Sequence, residues 1–555
     1  LAGKPRHSDE VVIAAYNDRR SFPTLEALRD HLGYGDVRNM VVRLTKLRRQ
    51  YPGRLIDRKR IYHQANAAGE TASARSIGQV LPTATGDSRV RRWLLTAAQD
   101  ETQVHEAFWT NLLAYGEKIG AEVLVGGFTY NKSLFEDHAS RTAVFAAAVQ
   151  PYLIHDDRML GPLLFSGRMN ILPTAVRPLS GLTNYGRGAW TVFPHAKVQL
   201  DSVASLPGRH PAMVMTTGAC TVPNYIEKKA GLKAEFHHQI GATIVEVDGA
   251  DRTFCRQIGA TSDGSFQDLD AIVRNGEVTF GNRVEGITWG DIHREQIDPQ
   301  VALTCWGFDV ASGEVVAEES LINALRPRHQ FFHDLLDFRA RNHHRRGDHI
   351  HAKRMLTLGA ESVAGELADC AHFLRATQRD YCQSVVVASN HNDALLRWLR
   401  ETDPRFDALN LETWCELNLE WHRQIRANPD GHFDLFRFAL SRHDSRLLDD
   451  ITFVPRNGSY LICQDRGGIE CGLHGDEGPN GARGSVLNLN QVGIRMTVGH
   501  GHSPKILDGV HMVGLCGLLE QGYNSGPSGW AHTQGITYPN SRRTLLTIID
   551  GKYRA

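Results

Sequence analysis

The sequence predicts an α/β protein, and three observations carry that prediction. The first 60 residues show helical periodicity with capping residues. The middle alternates short apolar β-type runs with Gly/Pro turns. The C-terminal half holds apolar strands that each end in a polar cluster. At 555 residues the chain is longer than the ~250–300 residues at which a single core stops growing, so several domains are expected. The divisions are a basic helical module over 1–63, a linker and amphipathic helix over 64–119, a β-containing middle domain over 120–283, and a domain carrying the chemistry over 284–555.

Taken in order, Ser8 can cap a helix running through Val11, Val12, Ala15 and Tyr16. Thr24 can cap a second through Leu28 and Leu32, closed by the turn Gly33-Tyr34-Gly35. Asp36 opens a third, Val37 to Tyr51, with Val41, Leu44 and Leu47 on one side and Arg38, Arg43, Lys46, Arg48 and Arg49 around the rest. Residues 1–60 carry 14 Lys/Arg against 7 Asp/Glu in a chain of zero formal net charge, so the surplus is local. Two helices, a glycine turn and a basic third helix predict a helix-turn-helix-like module whose five cations meet DNA phosphates. A small docking domain with a solvated basic face is the alternative.

Residues 64–88, rich in Ala, Gly, Ser and Thr, read as a linker, and 89–119 as an amphipathic helix. The β-type runs Glu122–Val125, Ala212–Met215 and Ala242–Val247 follow. Within that stretch His237-His238 and the turn Thr217-Gly218-Ala219-Cys220 read as core or loop features. No run reaches the ~20 apolar residues of a membrane span, so no membrane partner is expected. The nine cysteines are scattered without a C-x-x-C pair, and the stretch Leu1–Ser8 has no apolar segment of a secretory leader. A cytoplasmic setting is expected, and a large β-rich middle with a helical arm makes a homo-oligomer the expected state.

The chemistry lies beyond Val284. Apolar runs lead into Asp291-Ile292-His293, into Asp334-Leu335-Leu336-Asp337, into Ser389-Asn390-His391-Asn392-Asp393, to His474, and into Gly499-His500-Gly501-His502. Each cluster alone is a weak signal in a chain with 27 histidines, where His349-Ile350-His351 is a chance H-x-H. The ordered set supplies carboxylate, imidazole and amide ligands for paired divalent ions, and D-x-H places both side chains on one face of an extended segment.

In these five motifs the sequence resembles the calcineurin-like metallophosphoesterase superfamily, over roughly residues 284–510. The resemblance implies a layered αββα β-sandwich and two divalent metal ions, Mn²⁺ foremost, with Mg²⁺, Fe²⁺ or Zn²⁺ also suited. It implies that Asp291, His293 and His502 hold one ion, that Asn390, His474 and His500 hold the other, and that Asp334 bridges them. His391 would stand beside the scissile phosphate, oriented by Asp337. Two departures mark the chain: His333 replaces the glycine of the usual G-D-x-x-D, and Asn392 stands where a supporting acid is usual, with Asp393 one place later. His474 rests on position and on the tight turn after it, Gly475-Asp476-Glu477-Gly478, with His511 as the spare.

The whole chain, from basic helical module through segments such as Gly120–Val123 and Thr129–Ser133 to the C-terminal domain, also resembles the pre-early host-DNA-degradation proteins of T5-like bacteriophages. That resemblance implies a phage-encoded, metal-dependent DNase acting in the host cytoplasm. The alternatives are a phosphodiesterase or phosphatase on nucleotides or other small phosphoesters, and a DNA-binding scaffold with an inactive phosphoesterase domain.

Overall fold

The computed structural model describes residues 7–18, 21–22, 25–55, 90–130, 143–345, 347–522 and 524–555. Thr24, the linker 64–88, the segment Asn131–Ser133 and the side chain of Arg38 lie outside the described residues.

Three helices form the N-terminal module: α1 (Asp9–Asn17), α2 (Leu25–Leu32) and α3 (Val37–Gln50). Ser8 caps α1, its Oγ accepting from the Val11 amide at 3.4 Å. Gly33, at φ +65°, turns the chain out of α2. Val12, Tyr16, Leu28, Met40, Leu44 and Leu47 meet in one buried core.

The stretch 89–119 departs from expectation. Its described part opens with a strand, Arg91–Gln99, and only Glu106–Ile119 is helical (α4). Trp93 through Gln99 are all buried, and the strand pairs in parallel with Ala121–Phe128 through the α4 crossover. A strand covered on both faces reads as an unbroken apolar run, which periodicity does not separate from a buried helix.

Two sheets make the centre of the molecule. The first has six strands in the order 451–454, 383–387, 329–332, 286–288, 533–537, 543–547. Its first four run parallel, and 533–537 runs antiparallel to both of its neighbours, 286–288 and 543–547. Helices Pro299–Trp306, Val363–Thr377, Ala394–Glu401 and Leu435–Ser441 cover one face around Trp289, Trp306, Phe332 and Phe373. On the other face Phe331, Val385, Val387 and Val454 meet Ile462, Ile469 and Cys471 of the second sheet. The outer face of that sheet is covered by the short helix Val486–Leu489, packed on Met496, Val498, Val510 and Met512.

The second sheet has ten strands and crosses the boundary drawn at residue 283. Lys505–Leu507 pairs antiparallel with Gln199–Val203, so that Leu200 faces Ile506, and the strands 212–216, 190–193, 163–166 and 157–160 continue the sheet. An open edge at Lys505 would leave a row of unpaired amides, and the middle segment closes it. The five-stranded sheet that begins with Arg91–Gln99 then packs on this extension through Trp93, Leu95, Val245, Phe165 and Met215. No helix among the described residues is long and apolar enough to cross a membrane.

The five-stranded sheet is pinned by a buried ion network. Arg256 Nη1 donates to Glu246 at 2.8 Å, its Nε and Nη2 donate to Asp268 at 2.5 and 2.7 Å, and the Tyr115 hydroxyl donates to Asp268 at 2.6 Å. Removing Arg256 leaves Asp268 buried without its cation, while Glu246 keeps Arg92 at 2.9 Å, and an uncompensated buried charge costs about 3–5 kcal/mol in comparable pairs. Arg256→Met is therefore expected to lower the unfolding free energy by that amount, read as a lower urea midpoint with an unchanged slope of the transition. A loss below about 1 kcal/mol would show that water reaches the network.

Candidate metal centre

The predicted ligands arrive on loops at one end of the two sheets. One loop leaves the strand Gly286–Thr288 with Asp291 and His293, a second leaves His329–Phe332 with Asp334 and Asp337, and a third leaves Gln383–Val387 with Asn390 and His391. The ten-stranded sheet adds His474 after Ile469–Glu470, and His500 and His502 after Met496–Val498.

The first two loops stay in step beyond their strands. The amides of Ile292, His293 and Arg294 donate to the carbonyls of His333, Asp334 and Leu335 at 3.0, 2.8 and 3.0 Å. Asn392 Oδ1 accepts from the Leu336 amide at 3.1 Å and fastens the third loop to the second. Side chains crowd both glycines of Gly499-His500-Gly501-His502. A Cβ on Gly499 would lie 2.2 Å from Asp291 Oδ1, and one on Gly501 would lie 2.1 Å from the Met512 sulfur. The D-x-H segment is not extended as expected, because His293 takes a left-handed φ of +46° and reaches the cluster through a turn.

Two groups of donors face each other across Asp334. On one side His502 Nε2 stands 3.1 Å from His293 Nε2 and 3.1 Å from Asp291 Oδ2. On the other, His474 Nε2 stands 3.0 Å from Asn390 Oδ1, with the His500 ring edge-on to His474 at 5.3 Å. Asp334 Oδ2 lies 3.3 Å from His474 Nε2 and 3.9 Å from His293 Nε2, between the two groups. Asp291, His293, Asp334 and His502 each offer an atom within 4.8 Å of the others, and all four are buried.

These residues fit a metal. Asp291 Oδ1 is buried with no hydrogen-bond partner among the described residues, and Oδ2 faces only His502 Nε2 at 3.1 Å, which is costly without a cation. The ~3 Å spacings are those of neighbouring ligands about 2.0–2.2 Å from one ion. Carboxylate, imidazole and amide donors without thiolate suit Mn²⁺, Fe²⁺ or Zn²⁺.

The electrostatics follow from the same crowding. Burial opposes charge on His293, yet the hydrogen bond it donates to Asp337 and the charges of Asp337, Asp334 and Asp291 outweigh it and hold the imidazole up at about 9. Burial likewise opposes charge on His474, and Asp334 and Asp291 hold it at about 9. Burial would raise Asp334, but the surrounding imidazoles, His474 foremost, push it well below the ordinary range. His500 and His502 are lowered, chiefly by burial.

His391 stands at the rim, with one-fifth of its side chain exposed. Its amide donates to Asp334 Oδ1 at 3.3 Å, and its Nδ1 is 3.3 Å from the Asp337 carbonyl and 3.6 Å from Asp337 Oδ1. Asp337 is engaged more closely elsewhere. Its Oδ1 lies 2.9 Å from His293 Nδ1 and its Oδ2 accepts from Gln296 at 2.7 Å, so it orients His293 first and His391 second. A cleft of about 710 Å³ opens over Asp334, Asn390, His391, His500 and His502, with Arg483 and Lys505 on its walls.

The chain is 34% identical over 475 residues to Protein A1 of Escherichia phage T5, a match covering 84% of this chain and 83% of that protein. The chain belongs to the Protein A1 family. No protein-family model and no solved structure matches it. This phage family therefore supplies the lineage, and the chemistry has to come from the site.

Two residues that no sequence signal distinguished stand behind the cluster. Gln296 and Glu295 brace Asp337, the latter accepting from the Asp337 amide at 2.7 Å. His333 is buried, its ring stacked on His474 with Nδ1 3.4 Å from His474 Nδ1, and burial, then the His474 charge, pushes it down to about 4. Asp393 does not support His391; it pairs with Arg456, which also holds Asp476 at 2.6 Å. The spare ligand His511 lies buried on the strand Val510–Met512, beside the charge of Arg543. His237 and His238 are structural, meeting Asp508 at 3.2 Å and the Tyr225 hydroxyl at 2.7 Å.

The basic helix α3 is partly engaged within its own module. Arg43 pairs with Asp9, and Arg48 donates to the Tyr16 hydroxyl at 2.7 Å. Lys46 and Arg49 are exposed.

Because Gly499 leaves no room beside Asp291, Gly499→Ala is expected to displace that carboxylate. Added Mn²⁺ should raise the melting temperature of the wild-type protein and raise that of the variant much less, with unchanged circular dichroism. An equal Mn²⁺ response in both would place the ion away from Asp291.

Proposed function

We propose that this chain is a metal-dependent phosphodiesterase that hydrolyses DNA, with two divalent ions, Mn²⁺ foremost, held by Asp291, His293 and His502 and by Asn390, His474 and His500, and with Asp334 shared between them. The observation that carries the proposal is the position of Asp334, between two groups of buried donors and within reach of the His391 amide. The order of the motifs, like that of the calcineurin-like metallophosphoesterases, supports the same assignment.

When bound, the ions would supply Lewis-acid neutralisation of the phosphodiester and a water of lowered pKa. The side chains supply the rest. His391, the partly exposed imidazole at the rim, is placed to hydrogen-bond the phosphate and protonate the leaving oxygen. Asp337 and Gln296 hold His293 in one tautomer, as outer partners of ligating histidines commonly do. Arg483 and Lys505 bring positive charge to the cleft.

DNA is favoured over small phosphoesters by the exposed Lys46 and Arg49 on the basic helix and by membership in a phage family, which fits a phage-encoded enzyme degrading DNA in the host cytoplasm.

Purified protein is expected to degrade plasmid DNA with Mn²⁺ and to stop with chelator, and Asp334→Ala should lose both metal and cleavage. His391→Asn should keep the metal and lose roughly 10²–10⁴-fold in turnover. Metal loss in that variant would remove His391 from its role. Hydrolysis of an aryl phosphodiester without DNA cleavage would favour the small-substrate reading, and no hydrolysis with no metal would favour the scaffold. For the helical module, Lys46→Ala with Arg49→Ala should flatten the salt dependence of duplex binding by about 1.8 in log–log slope, from about 0.9 per lost phosphate contact. An unchanged slope would remove this helix from the DNA.

A further inference from the structure

The metal cleft does not end at Trp530. A second cavity, of about 870 Å³, continues on the far side, and Trp530 and Asn524 line both. The indole stands edge-on to the ring of His502 with centroids 4.3 Å apart, so it borders the ligand cluster directly. Gln296, which holds Asp337, also lines the second cavity.

The walls of this groove are suited to a nucleic-acid strand. Arg339 follows Asp337 by two residues and lines the groove. The His351 ring lies 3.4 Å from the Arg339 carbonyl, which docks the helix His349–Leu358 against this loop and sets Arg354 on the same wall. Neither arginine has an ion pair among the described residues. Of the acids in the groove, Asp298 caps the helix Pro299–Trp306 and Asp550 faces His210 at 3.0 Å and Arg252 at 3.6 Å, which leaves Glu520. The opposite wall is braced by reciprocal hydrogen bonds of 2.9 Å between the backbones of Ser205 and Ser528.

We propose that this groove holds an unpaired stretch of the DNA substrate continuing from the scissile phosphodiester. Trp530 is the platform for a base, and Arg339 and Arg354 take the following phosphates. The proposal rests on the nuclease reading above. An indole at the mouth of the groove stacks only on a base whose face is open, which a duplex denies, and stacking with cationic tracking is the general mode of single-strand binding.

The test uses the full chain, a short fluorescent single-stranded oligonucleotide, and bis(4-nitrophenyl) phosphate as a diester with no base to stack. Trp530→Ala should weaken oligonucleotide binding, read by anisotropy in chelator, by roughly 5- to 150-fold, and Trp530→Phe should restore most of it. Arg339→Ala with Arg354→Ala should reduce the salt slope of that binding by about 1.4, or about 0.7 per phosphate on a single strand. With Mn²⁺, the ratio of oligonucleotide to aryl-diester kcat/KM should fall at least tenfold in each. Unchanged binding and salt slope, or equal losses on both substrates, would overturn the groove assignment. Wild-type hydrolysis of the aryl diester with no action on any DNA would instead overturn the nuclease reading, and the groove with it.

Discussion

Asp291, Asp334 and Asp337 are all but fully buried within one small volume, and everything around them answers that charge. Three carboxylates taken out of water at such separations would protonate or push the loops apart unless positive charge stood among them. The compensation comes from His293 and His474, whose imidazoles the surrounding acids hold up at about 9. The same nitrogens are the ligands of the proposed ions, so a divalent cation would take over a role that protons fill without it. Binding of such an ion would release those protons.

Such a cluster needs a frame that does not yield, and the two sheets provide it from opposite sides. The parallel strands of the six-stranded sheet deliver Asp291, Asp334 and Asn390 in register, while the ten-stranded sheet delivers His474, His500 and His502. The core of Phe331, Val385, Ile462 and Ile469 fixes the distance between those two sources. The middle segment acts on the same frame. By pairing Leu200 with Ile506 it anchors the strand that leaves His502, so the segment with no chemical signature helps hold the ligand set.

What could be read in the sequence was what is local. A strand that ends in Asp-x-His or Gly-His-x-His announces itself within a few residues, and those loops converge in the fold. Ser8 announces its helix in the same way. The strand Arg91–Gln99 was hidden because burial on both faces erases the period-two pattern. The pairing of residues 199–203 with 505–507 was hidden because neither run carries a trace of its distant partner. His333 shows a subtler limit. Where a glycine was expected to make the turn, Asp334 itself adopts φ +43°, and the histidine ring fills space beside His474 and Gly499. Gln296, Trp530 and Arg339 belong to no motif, and only three-dimensional adjacency distinguishes them.

Backbone conformation adds a last argument for function. His293, Asp334, His500 and His502, four of the seven proposed ligands, adopt left-handed φ angles between +43° and +68° without being glycine. Such a conformation costs on the order of 1–3 kcal/mol per residue, and glycine would relieve it at once. Other non-glycine residues, Leu269 and Cys463 among them, also adopt positive φ, and what sets these four apart is that their side chains meet in one cluster. The hydrogen bonds from 292–294 to 333–335 and the bond from the Ala531 amide to the His502 carbonyl lock the strained positions in place. The fold thus sustains strain where side chains must turn toward one point, and that point is the space between the two halves of the ligand set.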